Sequence, residues 1–126
     1  MTVLIDSWAW IEYFKGTKYG SKAKEIIDSN EHVIISVINI AEVYRYFLSE
    51  KNEKEANFII EYILKRSFVM PLFTEISIEA AKLRHKKKWG LGDAIIYATA
   101  IQNNAKLLSG DPDFKNENNV IFISKP

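Results

Sequence analysis

Trp89-Gly-Leu-Gly-Asp-Ala-Ile-Ile-Tyr-Ala-Thr-Ala100 reads as a glycine-punctuated loop running straight into a helix with almost no polar face. Ala94, Ile95, Ile96, Ala98, Ala100 and Ile101 surround its axis, which predicts a helix packed on several sides. Asp93 stands in its first turn, where the positive end of the helix dipole favours a carboxylate. N-capping, typically worth about 1 kcal/mol, is one account of that charge. The other groups Asp93 with Asp6, Glu42 and Asp111, each placed where one element hands over to the next.

On either side of this helix the chain alternates short apolar runs with amphipathic ones. Downstream, Lys106-Leu-Leu108 reads as a strand that ends in Ser109-Gly-Asp-Pro-Asp-Phe114, and Val120-Ile-Phe-Ile123 as the last strand. Upstream, Ser77 is a candidate cap for a helix running to the cationic cluster Arg84-His-Lys-Lys-Lys88, and Phe68-Val-Met-Pro71 reads as an edge strand stopped by its proline. Near the N-terminus, Val3-Leu-Ile5 and Val33-Ile-Ile35 have the apolar, β-branched character of buried parallel strands. Between them lie a helix from Trp8 to Phe14, opened by Ser7, and a second opened by Ser21. Asn39 is read as the start of a helix with Ile40, Ala41, Tyr44, Phe47 and Leu48 on one face. The next helix carries the stripe Ala56, Ile59, Ile60, Ile63, Leu64. Strands alternating with helices predict an α/β fold, a parallel sheet covered on both faces in three α/β/α layers.

At 126 residues the chain fits one domain, residues 1–126, and 48% hydrophobic content is ample for a core. No apolar run approaches a membrane span, and Asp6 arrives too early for a signal peptide. The absence of cysteine excludes disulfides and thiolate metal sites and fits a cytoplasmic protein. A net charge of +1 does not by itself predict a nucleic-acid partner. Acids gathered around a metal would nevertheless leave the rest of the surface more basic than that total.

In an open parallel sheet, sites form beyond the carboxyl ends of the strands. Asp6 lies at the end of the first strand, Asp111 just beyond the fourth, and Glu42 and Asp93 in first turns of neighbouring helices. Four carboxylates on one rim cannot all be ionised at close range unless cations neutralise them. An oxygen-rich pocket suits Mg²⁺ or Mn²⁺ better than Zn²⁺, and phosphodiester hydrolysis is the chemistry that needs such ions. Each acid also has a local account. Asp6 would cap a helix, Asp111-Pro-Asp113 would make a turn, and Asn39-Ile-Ala-Glu42 has the spacing of a capping box. Capping and metal binding are compatible at Glu42. Arg84, Lys86, Lys87 and Lys88 either complement a helix C-terminus or contact a polyanion such as RNA.

Four stretches, in order and across nearly the whole length, resemble a PIN domain and, within that group, a VapC-type ribonuclease toxin. They are Val3-Leu-Ile-Asp-Ser-Trp-Ala-Trp-Ile-Glu-Tyr-Phe14, Asn39-Ile-Ala-Glu-Val-Tyr44, Gly92-Asp-Ala-Ile-Ile-Tyr-Ala98 and Leu107-Leu-Ser-Gly-Asp-Pro-Asp-Phe114. The resemblance implies a five-stranded parallel sheet in the order 3-2-1-4-5. It implies an acidic quartet at Asp6, Glu42, Asp93 and Asp111, a hydroxyl at Ser109, and Asp113 as a further acid of the last motif. It also implies Mg²⁺- or Mn²⁺-dependent endoribonuclease activity leaving 5′-phosphate and 3′-hydroxyl ends, a homodimer, and a cognate antitoxin protein. On that basis Asp6 and Asp93 hold the first ion, Glu42 and Asp111 complete the pocket, and Ser109 bonds a carboxylate or the scissile phosphate. The basic run Arg84–Lys88 exceeds the family pattern and is read as an RNA contact. The helix pair from Asn39 to Ser67 is the expected dimer or antitoxin surface. Two alternatives remain from the residues: a catalytically weak RNA- or partner-binding module, and a Mg²⁺-dependent phosphatase. The latter lacks a second Asp two residues after Asp6.

Overall fold

Period-2 alternation within the strands sets the architecture. In the computed structural model, which describes residues 1–124, Val3, Ile5, Val33, Ile35 and Leu108 point to one face of the sheet and join one core cluster. Leu4, Ile34 and Leu107, their neighbours along the same strands, join another on the opposite face. All eight are essentially inaccessible to solvent. Strands buried on both faces this way are what a continuous apolar run encodes. Truncating any of these larger side chains to alanine is expected to cost about 2–5 kcal/mol.

The elements run β1 (Thr2–Ile5), α1 (Ser7–Lys15), α2 (Ser21–Ile27), β2 (His32–Ser36), α3 (Val37–Glu50), α4 (Glu53–Arg66), β3 (Phe68–Met70), α5 (Thr74–Lys87), α6 (Leu91–Gln102), β4 (Lys106–Ser109) and β5 (Val120–Phe122). Short 3-10 turns cover Lys18–Gly20 and Pro112–Phe114. The sheet order is β3-β2-β1-β4-β5, and every pairing is parallel. The predicted order therefore holds. Residues of α1 to α4 pack on one face, and those of α6 on the other, with α5 against α6. Ala94 to Ala100 of α6 are all buried, as its missing polar face predicts, while Ile101 stands partly in solvent. Among the described residues no helix is long and apolar enough to cross a membrane.

Three helix starts differ from the sequence reading. Asp6, not Ser7, caps α1: its side chain accepts from the Ser7 amide, and Ser7 is the first helical residue. Helix α3 begins at Val37, ahead of Asn39, because Ser36 is its cap. Ser36 Oγ accepts from the Ile38 amide at 3.0 Å, and Asn39 Oδ1 accepts from the Ser36 amide at 3.1 Å. The capping box is real but sits three residues earlier, with Asn39 in the place expected of Glu42. Glu42 is thereby moved out of the first turn and released from any capping duty. Helix α5 starts at Thr74, and the Ser77 hydroxyl turns back to the Phe73 carbonyl instead of capping. On α3 and α4, Ala41, Leu48 and Leu64 lie outside the buried stripes and are exposed, as is Phe58, while Val43 takes the buried place on α3.

Arg66, the last residue of α4, fastens the hairpin of α3 and α4 to the α2–β2 connection. Its guanidinium donates to the carbonyls of Ile26, Ile27, Ser29 and Glu31 at 2.8–3.2 Å. The fork geometry of arginine allows one side chain to bond several carbonyls at once, those of Ile27, Ser29 and Glu31 and that of Ile26, which also accepts from the Ser29 amide.

Candidate active site

The acids assemble because β1, β2 and β4 all end on the same edge of the sheet. The Asp6 amide extends the β1–β4 ladder by donating to the Leu108 carbonyl at 2.9 Å, which fixes the Asp6 side chain beside the β4 terminus. Ser109 Oγ donates to Asp6 Oδ2 at 2.7 Å and accepts from the Asp111 amide at 3.0 Å. On the other side, Asp6 Oδ1 accepts from the Ser7 amide at 2.8 Å and from Asn39 Nδ2 at 3.3 Å. Asn39 Nδ2 also donates to Ser7 Oγ at 2.8 Å, and that hydroxyl in turn donates a hydrogen bond to Glu42 Oε1 at 2.6 Å. One continuous chain of hydroxyl and amide groups therefore runs from Asp111 through Asp6 to Glu42. Asp6, Ser7, Asn39 and Ser109 are all buried, and buried polar groups this fully bonded hold a single geometry.

Asp6, Glu42, Asp93 and Asp111 line one cavity of about 620 Å³ together with Ser7, Trp8 and five further residues. Carboxylate oxygens of Asp93, Asp111 and Asp113 also lie within 4.8 Å of one another. The structure thus brings the four sequence-derived acids to one pocket and draws Asp113 in beside two of them. Asp111 is held by a local turn, its Oδ1 accepting from the Asp113 amide at 2.9 Å at the start of the 3-10 turn. Asp93 sits at the third position of α6, whose start is capped by Gly90 without a side-chain bond, and makes no hydrogen bond among the described residues. A Cβ placed on Gly92 would lie 3.9 Å from Glu42 Oε2, so the starts of α3 and α6 meet at the rim.

Packing acids this way shifts their protonation. Burial pushes Asp6 up to about 6, helped by the charges of Glu42 and Asp111 and opposed by the hydrogen bonds from Ser109 and Ser7. Burial, then the charges of Asp111, Asp6, Glu42 and Asp113, pushes Asp93 up to about 7. Near neutral pH Asp93 is about half protonated, and a bound cation would displace that proton. An all-oxygen donor set with three carboxylates in mutual reach fits a hard divalent ion such as Mg²⁺ or Mn²⁺.

The basic run lies elsewhere. Arg84, Lys86 and Lys87 occupy the last turn of α5, and Lys88 closes it in the left-handed region at φ 64°. Arg84, His85, Lys88, Trp89 and Leu91 line a separate cleft of about 460 Å³, while Lys87 pairs with Glu117 at 3.0 Å. None of these cations lines the acidic cavity. Sequence reasoning missed the Ser7–Asn39 link, although both residues stand in the quoted motifs. It also missed Glu12, Lys15 and Tyr46, which line the acidic cavity from α1 and α3.

The sequence model of the PIN domain family matches residues 3–118. This chain belongs to the PIN domain family. No curated protein matches it. Solved structures do, and several share the fold of this PIN chain over nearly its whole length, among them the following three. A toxin–antitoxin complex from Klebsiella pneumoniae has 24% identity and a TM-score of 0.82, with 98% of this chain and 99% of that chain covered. VapBC2 from Rickettsia felis, bound to a DNA fragment from its promoter, has 20% identity and a TM-score of 0.77, with 97% of each chain covered. VapC20 from Mycobacterium tuberculosis, described as a sarcin-ricin-loop-cleaving toxin, has 17% identity and a TM-score of 0.71, covering 92% of this chain and 95% of its own.

Proposed function

We propose that this PIN-domain chain is a Mg²⁺- or Mn²⁺-dependent endoribonuclease, the toxin of a VapBC-type toxin–antitoxin pair. The observation that carries the reading is the convergence of Asp6, Glu42, Asp93 and Asp111 on one cavity at the carboxyl edge of a parallel sheet. Its similarity in fold to toxins solved with their antitoxins supports the same pairing here.

Asp93 and Asp111, with Asp113 in reach of both, would hold the ion together with Asp6 from the same cavity. When bound, such an ion activates water for attack and stabilises charge on the phosphoryl oxygens. Glu42 keeps Oε1 on the Ser7 hydroxyl and has Oε2 to orient the attacking water and accept its proton. Ser109 fixes the Asp6 carboxylate rather than touching the phosphate, since its hydroxyl proton is already committed to Asp6 Oδ2. Arg84, Lys86 and Lys88, outside the acidic cavity, would receive the RNA strand farther from the reacting bond. The exposed apolar residues Leu48, Phe58 and Leu64 on α3 and α4 are the surface proposed for the homodimer or the antitoxin. A toxin of this kind would act in the cytoplasm.

The test is cleavage of a mixed RNA pool by purified protein with Mg²⁺, Mn²⁺ or EDTA, beside Asp93→Asn. Cleavage that needs metal and falls at least a hundredfold in the variant supports the reading. Undiminished cleavage by Asp93→Asn overturns the site.

A further inference from the structure

The acidic cavity is larger than an ion and one phosphate require, since roughly 300–1,000 Å³ encloses a drug-sized ligand. Its extra length lies between α1 and α3. On α1, Trp8, Ile11, Glu12 and Lys15 follow the i, i+3, i+4, i+7 spacing of one helix face, and all four line the cavity. On α3, Tyr46 stands one turn beyond Glu42 on the same face and lines it too. The two helices therefore carry the pocket away from the acids as a channel with an aromatic and apolar lining.

Lys15 is the cation of that lining. Its Nζ lies 3.4 Å from Glu12 Oε2 and 6.0 Å from the centroid of the Tyr46 ring. Glu12 is buried, unusual for a glutamate, and is itself held by a 2.9 Å bond from Thr17 Oγ1. A lysine placed only to complement a helix C-terminus needs no such support. Lys15 is nine residues beyond Asp6, about two and a half helical turns or roughly 13 Å along α1. That is too far for the reacting phosphate.

Resting on the ribonuclease reading, we propose that Lys15, Glu12 and Tyr46 form a nucleotide subsite beside the cleavage site. Lys15 grips the phosphate of a flanking nucleotide, Glu12 aims it, and Tyr46 stacks on the base. The channel offers a ring face and a point charge with no built array of hydrogen-bond donors, which suits single-stranded RNA held without strict base choice.

The test is the affinity of a labelled single-stranded RNA for protein carrying Asp93→Asn, with Mg²⁺ present, read by fluorescence anisotropy across salt concentrations. Adding Lys15→Gln should weaken binding about tenfold and reduce the salt slope by about 0.7, the contribution of one phosphate on a single strand. Lys15→Arg should restore both. Tyr46→Ala should weaken binding about tenfold with the slope retained, and Tyr46→Phe should bind like the parent. Thermal melting and Mn²⁺ titration like those of the parent separate this result from misfolding. If the parent binds RNA and Lys15→Gln binds it equally well with the same slope, this inference falls alone. If the parent binds no RNA, the ribonuclease reading falls and takes this one with it.

Discussion

Ser109 and Asp6, 103 residues apart in sequence, meet in a buried 2.7 Å hydrogen bond from the serine hydroxyl to Oδ2 of the aspartate. That bond opposes the effect of burial on Asp6. Ser109→Ala should therefore raise the Asp6 pKa further above about 6 and move the acid limb of the pH–rate profile to higher pH. Losing a bond to a charged group should also cost about 2 kcal/mol at pH 8. A pH–rate profile and urea unfolding at that pH test the two effects separately. An unmoved acid limb would deny Ser109 its role in tuning Asp6.

The metal-free protein should become less stable as pH rises from about 4 to about 7. Asp6 and Asp93 are raised in the folded state from 3.8 to about 6 and about 7. A carboxyl whose folded pKa is raised contributes stability that is full below its unfolded pKa and is lost as pH passes through the folded value. Melting in EDTA across this range should show that slope, and Asp93→Asn should flatten it. Adding Mn²⁺ should raise the melting temperature strongly at pH 7.5 and little at pH 5, where protons compete for the same oxygens. An equal metal effect at both pH values would contradict the assignment.

Gly110 owes its identity to Trp8. A Cβ there would run into the indole ring, so Gly110→Ala should destabilise the protein by about 1–3 kcal/mol. In a Trp8→Ala background the same change should cost much less. A double-mutant cycle by chemical denaturation measures the difference, and an additive result would mean that the ring moves aside freely.

Arg66→Met should remove all four guanidinium bonds to the α2–β2 connection while keeping much of the side-chain volume. The expected loss is about 2–3 kcal/mol, because the Ile27, Ser29 and Glu31 carbonyls lose this partner together. Arg66→Lys should recover only part of it, since an ammonium cannot span the same set. Equilibrium unfolding decides. Wild-type stability in Arg66→Met would show that water replaces the fork at no cost.

The sheet and its order were legible because strands buried on both faces leave unbroken apolar runs, and α6 because it has no polar side. Asp6, Asp93 and Asp111 were legible as residues at element junctions and Glu42 through its motif, but not the manner of their assembly. Asn39 illustrates the limit: its position before Ile-Ala-Glu suggested a cap, while β-branched Val37 and Ile38 hid the true helix start at Ser36. Its amide bonds to Ser7 and Asp6 depend on β1 and β2 pairing side by side, which no local pattern encodes. Lys15 and Tyr46 were invisible for the same reason: each looks like an ordinary surface residue of its own helix until α1 and α3 are packed together. Asp113 lay within a quoted motif, yet its nearness to Asp93 arises only when α6 docks beside β4.

The central place of β1 also sets the order in which the pocket can come into being. Its partner on one side, β2, follows within a few tens of residues, whereas β4 on the other is made a hundred residues later. Pairings between distant parts of a chain close late and slowly. A growing polypeptide therefore exposes Asp6 and Glu42 long before Ser109 and Asp111 exist to join them. The site is therefore completed only once residues about a hundred positions beyond Asp6 have been made and β4 has paired with β1.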